Sequence, residues 1–188
     1  MNSLFKWIIA ICFIAYPFIV GWSLAHEHFY MASLLLIGIG LIRFLSTSNS
    51  LLWPLTAFAV LCGSLSLILN DHAWLKVYPV LMSLGAFCIF ASTLWRPPSM
   101  IERFARIMEP DLPESGVQWT RKVTMVWCGF FLINASVAWS TVMWMSTQIW
   151  VFYNGFVSYI LMGILLLGEF ILRKRYRRLH HNDEQSLE

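Results

Sequence analysis

The sequence predicts an all-α, polytopic membrane protein: a six-helix transmembrane bundle with a short cytoplasmic amphipathic helix. Three observations carry that expectation. The hydrophobic set (AVILMFWYC) makes up 59% of the 188 residues and charged residues 12%, about half the ~25% of an ordinary soluble domain. Apolar runs of about 20 residues, the length that crosses a hydrocarbon core, recur along the chain. Once those runs are threaded, twelve of the thirteen basic residues fall on one side of the membrane, as the positive-inside bias requires. The 14 Phe, 10 Trp and 6 Tyr exclude a disordered chain, which is charged and poor in aromatics. A net charge of +3, with its basic residues confined to a few segments, excludes a soluble nucleic-acid binder.

Span one covers about 7–25, because no fixed charge lies between Lys6 and Glu27. Pro17 is placed to kink it. Ser23 and Ala25 resemble a leader-cleavage site, but the run is longer and more aromatic than a usual leader core, so it reads as a retained span. Span two, 28–45, is completed if Arg43 snorkels to the interface. Ser46-Thr47-Ser48-Asn49-Ser50 is a polar turn, and span three follows over 51–69 with Pro54 in its first turn, where proline is tolerated. Span four covers 77–95. The 46 residues from Val123 to Gly168 carry no fixed charge and hold two spans, 123–143 and 149–172, broken at Ser146-Thr147-Gln148. With both termini in the cytoplasm, Lys76 is the one basic residue outside. Trp7, Trp22, Trp53, Trp74, Trp95, Trp119, Trp144 and Trp150 fall near span ends, as an interfacial aromatic belt does. Residues 1–172 thus form one transmembrane domain, and 173–188 a basic tail that becomes disordered from Asn182.

The cytoplasmic connection, 96–122, opens with Pro97-Pro98. Ser99 and Glu102 have capping-box spacing. On a helix from Met100 to Glu109, the residues Met100, Ile101, Phe104, Ile107 and Met108 share an apolar face, and Glu102, Arg103, Arg106 and Glu109 a polar one. Such a helix suits the membrane interface. With its basic neighbours it gives the candidate interaction set Arg96, Arg103, Phe104, Arg106, Arg121 and Lys122, which attracts anionic lipids or acidic partners.

Other polar groups are sparse. Asn134 sits in the middle of span five, where a buried amide needs a partner; Ser158 or Tyr159 of span six lies at matching depth, and Asn154 is shallower and more easily hydrated. Glu169, near the cytoplasmic end of span six, has Arg173 at i+4 for an ion pair. His26-Glu27-His28 and Asn70-Asp71-His72 cap the outer hairpins, but their spacing is not that of a metal site. Ala73–Tyr78 and Gln148–Tyr153 both open an inward-going span with Trp followed by Tyr, a faint internal similarity. Ala59 with Gly63, Ser136 with Ser140, and Gly38 with Gly40 permit close helix packing. Cys12, Cys62, Cys88 and Cys128 stand singly in apolar runs and read as small buried hydrophobes. No Asp, Glu, Lys or Arg occupies the centre of a predicted span, and no HExxH, Walker loop or dinucleotide-binding turn occurs. A transporter or flippase is therefore disfavoured, and no catalytic residue, cofactor or metal is expected.

The order of motifs Leu65-Ser66-Leu67, Asn70-Asp71, Trp74-x-Lys76, Pro98 through Ile101-x-Arg103, Leu112-Pro113, Trp119, Trp127-x-x-Phe130-Phe131 and Ile149-Trp150-Val151 resembles the intracellular septation protein A family, also called the YciB family, of bacterial inner-membrane proteins. The resemblance covers about 65–160; the first two spans match in hydropathy. Glu109-Pro110-Asp111-Leu112-Pro113-Glu114 through Tyr153-Asn154-Gly155 resembles most a branch whose genes accompany lipid or aryl-polyene synthesis enzymes. The family implies a non-enzymatic role in cell-envelope biogenesis or septation, through contacts with division or elongation machinery. The branch implies the alternative, an accessory membrane subunit for lipid or aryl-polyene synthesis or delivery. Membrane lipids are the expected common partner, and nucleic acid is not one.

Overall fold

The computed structural model of the chain describes residues 18–23, 26, 29–46, 53–71 and 73–185, and among these there is no strand. Seven helices follow in order: α1 (Phe29–Ser46), α2 (Trp53–Ile68), α3 (Ala73–Trp95), α4 (Met100–Met108), α5 (Glu114–Trp144), α6 (Thr147–Phe152) and α7 (Ser158–Gln185). A π-helical turn, Tyr153–Val157, joins α6 to α7, and residues 18–23 form a further helical segment. Three stretches among the described residues are long and apolar enough to cross a membrane: Ala73–Trp95, Glu114–Trp144 and Thr147–Arg173. Tyr30–Ile42 and Leu55–Ile68 are shorter apolar helices. Of the predicted span 7–25 only 18–23 are described; Lys6, Cys12, Pro17 and residues 47–50 of the polar turn lie outside the described residues.

Local chemistry sets the ends. After α2 the chain turns at Asn70, whose φ of 51° is left-handed, a conformation that Asn tolerates better than most residues. Its Oδ1 accepts the Tyr30 hydroxyl at 2.8 Å. Asp71 Oδ1 then accepts the Ala73 N–H at 2.8 Å, which satisfies a donor that the first turn of a helix leaves open. With that cap α3 starts one turn before the predicted Val77. α5 likewise starts at Glu114, so that the second half of the predicted connection, with Arg121 and Lys122, is helical. At the other end α7 carries helix through the basic run to Gln185, past Asn182, where disorder was expected.

α3 and α5 form the most extensive helix pair, followed by the α1–α2 hairpin and then α2–α3. The hairpin is backbone-close because a Cβ on Gly63 would lie 2.9 Å from the Ser33 carbonyl oxygen, and Ser33 Oγ donates to Ser66 Oγ across it at 3.1 Å. A second of the three predicted small pairs, Ser136 with Ser140, is different. Both hydroxyls donate back to carbonyls of their own helix, each at 2.9 Å.

Three apolar clusters follow, the smallest being Val80 with Ala135 and Ala138 between α3 and α5. One gathers Val20, Leu36, Cys62, Leu75, Tyr78 and Trp150. Another gathers Ile101, Val123, Trp127 and Phe131, with Phe90 edge-on to Phe131 at a ring separation of 5.1 Å. Trp150, placed by sequence in an aromatic belt, is 0% exposed. Its indole N–H donates to the Lys76 carbonyl at 3.1 Å, a partner on α3 that the position of Trp150 near a span end did not reveal. Trp22, Trp95 and Trp144 do stand exposed. Cys62 and Cys128 are buried, but Cys88 is exposed on α3, because it falls on the side of α3 turned away from the core.

Candidate functional site

Two polar constellations stand out from the apolar bundle. The first is centred on Asn134. Its Nδ2 donates to Ser83 Oγ on α3 at 2.9 Å. Its Oδ1 accepts both Ser158 Oγ at 2.9 Å and the Tyr153 hydroxyl at 3.0 Å. Ser158 is a partner the matching depth anticipated. Tyr153 is not, and the π turn explains why: widening the helix by one residue per turn puts i and i+5 on one side, so that Tyr153 and Ser158 meet the same oxygen. Asn154, expected to be shallow and hydrated, is buried at 5% exposure. The π turn directs it inward, where Nδ2 donates to the Trp150 carbonyl at 2.9 Å and to Thr141 Oγ1 at 3.3 Å.

The second constellation is α4, which is docked rather than loose. Met100 N–H donates to Thr93 Oγ1 of α3 at 2.9 Å, and Ile101 N–H to Thr124 Oγ1 of α5 at 3.3 Å. Each threonine hydroxyl is held for this role by donating to its own helix, to Phe90 O at 2.7 Å and to Thr120 O at 2.8 Å. Glu102 supplies the expected capping contact, its Oε2 accepting the Ser99 N–H at 3.2 Å. At the far end, Arg173 of α7 lies 3.7 Å from Glu109, the residue that closes α4. That is the ion pair Arg173 makes, in place of the expected one with Glu169. Glu169 instead lies beside the Trp127 side chain, within the field of Arg173.

This docking splits the predicted apolar face. Met100 and Ile101 are buried in the bundle, while Phe104, Ile107 and Met108 are exposed, the last two at 79% and 85%. It also corrects the polar face: Glu102 is turned into the bundle at 6% exposure. There its Oε1 accepts from Arg106 Nε at 2.9 Å and Nη2 at 2.8 Å. Arg106 also donates to the Pro110 carbonyl at 3.1 Å, so it is a structural cation. Arg103 is exposed, with Nε on the Pro98 carbonyl at 3.0 Å. Arg96, Arg121 and Lys122 are exposed at the same end of α3 and α5. Of the predicted interaction set, Arg106 is thus absorbed into the fold and the other five face outward. Thr93 and Thr124 are the residues that sequence reasoning missed; nothing in their spacing marks a threonine on one helix as the cap of another.

At the opposite end, Lys76 Nζ donates to Thr147 Oγ1 at 2.8 Å, so the starts of α3 and α6, which share the Trp-then-Tyr pattern, are joined directly. The outer acidic and histidine residues are dispersed. Asp71 caps α3, and His26 sits on Trp22, with Nδ1 2.9 Å from the Trp22 carbonyl oxygen and the rings stacked at 4.6 Å. Glu27, His28 and His72 lie outside the described residues. Among those described, no three His, Cys, Asp or Glu residues are grouped to hold a metal ion.

The family model for intracellular septation protein A matches residues 1–179, taking in the first helices as well as the 65–160 region that carries the motifs. The inner membrane-spanning protein YciB of Afipia carboxidovorans is 29% identical over 135 residues, which make up 70% of this chain and 64% of that protein. The match therefore spans less than two thirds of the length of this curated relative. No solved structure matches the chain.

Proposed function

The chain belongs to the intracellular septation protein A family, and from that premise we propose that it is a non-enzymatic scaffold of the inner membrane, supporting septation or envelope growth by contacting membrane-bound machinery at its basic end. The observation that carries this reading is the docked α4. A helix of nine residues is marginal in water on its own. Here Thr93, Thr124 and Arg173, from three different helices, hold it to the bundle. A fixed helix presents Phe104, Ile107 and Met108 to the interface at no further ordering cost, which favours a preorganised contact. Arg96, Arg103, Arg121 and Lys122 surround it with positive charge, which suits anionic lipid and acidic partners. Among the described residues, the polar groups around Asn134 and Asn154 are amides and hydroxyls bonded to one another. They hold helices together, and they form no acid–base pair of the kind that proton transfer needs.

The test replaces only the outward residues. A strain lacking the gene is complemented with an Arg103→Glu/Ile107→Ser/Met108→Ser variant, with Glu102 and Arg106 kept intact. The expected outcome is normal protein abundance without correction of the septation or envelope defect. Full complementation at normal abundance would remove α4 as the working surface.

A further inference from the structure

We infer that the cleft between the 18–23 segment and the start of α6 holds one phospholipid, its acyl chain lying between Phe18 and Phe156 and its phosphate at Lys76. The cleft has a volume of about 720 Å³, within the roughly 300–1,000 Å³ of small-molecule sites. Its walls are fixed at two glycines. A Cβ on Gly21 would collide with the Val151 side chain, and one on Gly155 would lie 2.9 Å from the Phe18 ring. Trp22, stacked on His26, is a further part of the wall.

The polarity of the cleft is graded along its length. Thr147 and Gln148 line it at the first turn of α6. Phe152 and Phe156 line it further in, Phe152 about 7.5 Å along α6 from Thr147 at 1.5 Å per residue and Phe156 beyond it in the π turn. One polar end and one aromatic end match a headgroup and a chain. Thr147 accepts from the Lys76 ammonium at 2.8 Å, so the polar end carries a cation. An ammonium has three donors, and the described residues take one. Lys76 is half-buried, and the exposed cations among the described residues, Arg96, Arg103, Arg121 and Lys122, stand at the opposite end of the bundle. An anion is therefore the complementary neighbour for Lys76, and a lipid phosphate brings one at the depth where the chain can enter the cleft.

The full-length protein is reconstituted in phosphatidylcholine vesicles containing a phosphatidylglycerol with a photoactivatable diazirine on its acyl chain, and labelled residues are mapped by peptide mass spectrometry. Labelling is expected to concentrate on Trp22, Phe152 and Phe156. Lys76→Gln should lower it about five-fold, the equivalent of one basic contact with an anionic headgroup. Phe152→Trp, which narrows the cleft without touching the Lys76–Thr147 bond, should lower labelling of Phe156 as well and serves if Lys76→Gln does not fold. Labelling spread evenly over exposed positions such as Ile133 and Leu167, or unaffected by the cleft variants, overturns the proposal. So does a Phe152→Cys variant that crosslinks to a second copy of the chain with loss of the lipid label.

Discussion

Asn134 of α5 and Ser83 of α3 are joined by a buried 2.9 Å hydrogen bond between residues 51 positions apart, and the opposite side of the same amide receives Tyr153 and Ser158. One side chain thereby ties α3, α5 and the π turn together. Asn134→Ala leaves three hydroxyl groups without their partner in an apolar setting, and the expected loss is about 1–3 kcal/mol. Ser83→Ala removes one bond and should cost about 0.6 kcal/mol, the average for such contacts in membranes. Unfolding of the purified protein in mixed micelles checks this. Equal losses for the two variants would show that Asn134 is not a hub.

The α4 cap gives a second expectation. Thr93→Val and Thr124→Val keep the shape of the side chain and remove the oxygen that accepts from Met100 or Ile101. Loss of a capping acceptor costs about 0.5–2 kcal/mol. Hydrogen exchange should accelerate in 100–108 and stay unchanged in the centres of α3 and α5. Thr93→Ser, which restores the hydroxyl, should restore protection; exchange as fast as in Thr93→Val would mean that the oxygen is not what holds the helix.

The Glu102–Arg106 pair is asymmetric, with side chains 7% and 40% exposed. Arg106→Ala strands a buried carboxylate, whereas Glu102→Gln removes the charge and leaves an outer guanidinium that water reaches. Breaking a fully buried pair costs about 3–5 kcal/mol; with one partner half in solvent, about 1–2 kcal/mol is expected for Arg106→Ala, with Glu102→Gln costing less. The double variant Glu102→Gln/Arg106→Ala should be more stable than Arg106→Ala alone. Thermal unfolding of the three variants measures the order, and the reverse order would place the charge penalty on Arg106.

What was legible in the sequence follows from how local each signal is. Hydropathy located the apolar helices because a membrane span is a property of composition. The Ser99–Glu102 spacing located the start of α4 because a capping box closes within four residues. Depth alone offered Ser158 or Tyr159 as the partner of Asn134, and Ser158 is the one that bonds its Oδ1. The π turn at Tyr153–Val157 left no periodic trace, since one extra residue in a turn is invisible in an apolar run. That concealed Tyr153 and the burial of Asn154. Glu102 was placed outward because a binary pattern sends charge to solvent. Its inward position depends on Arg106 following it over the top and on Thr93 and Thr124 drawing the first turn of α4 onto the bundle. Those are tertiary facts, set by residues up to 23 positions away.

We propose that the end carrying α4 faces the cytoplasm, because Arg96, Arg103, Arg106, Arg121 and Lys122 all lie there and Lys76 alone lies at the other end of α3. Each basic group near an anionic leaflet contributes about 1 kcal/mol, and Lys and Arg in short connections set the orientation of a bundle. Asp71 and Ser146 are exposed at the Lys76 end, and Met108 and Arg121 are exposed at the α4 end. These four positions suit single cysteines, introduced after Cys12, Cys62, Cys88 and Cys128 have been replaced; Ser99 is 4% exposed and does not. A membrane-impermeant maleimide applied to spheroplasts should label Asp71→Cys and Ser146→Cys at once, and Met108→Cys and Arg121→Cys only after permeabilisation. Labelling of Met108→Cys in sealed spheroplasts would invert the bundle, and with it the side on which α4 could meet a cytoplasmic partner.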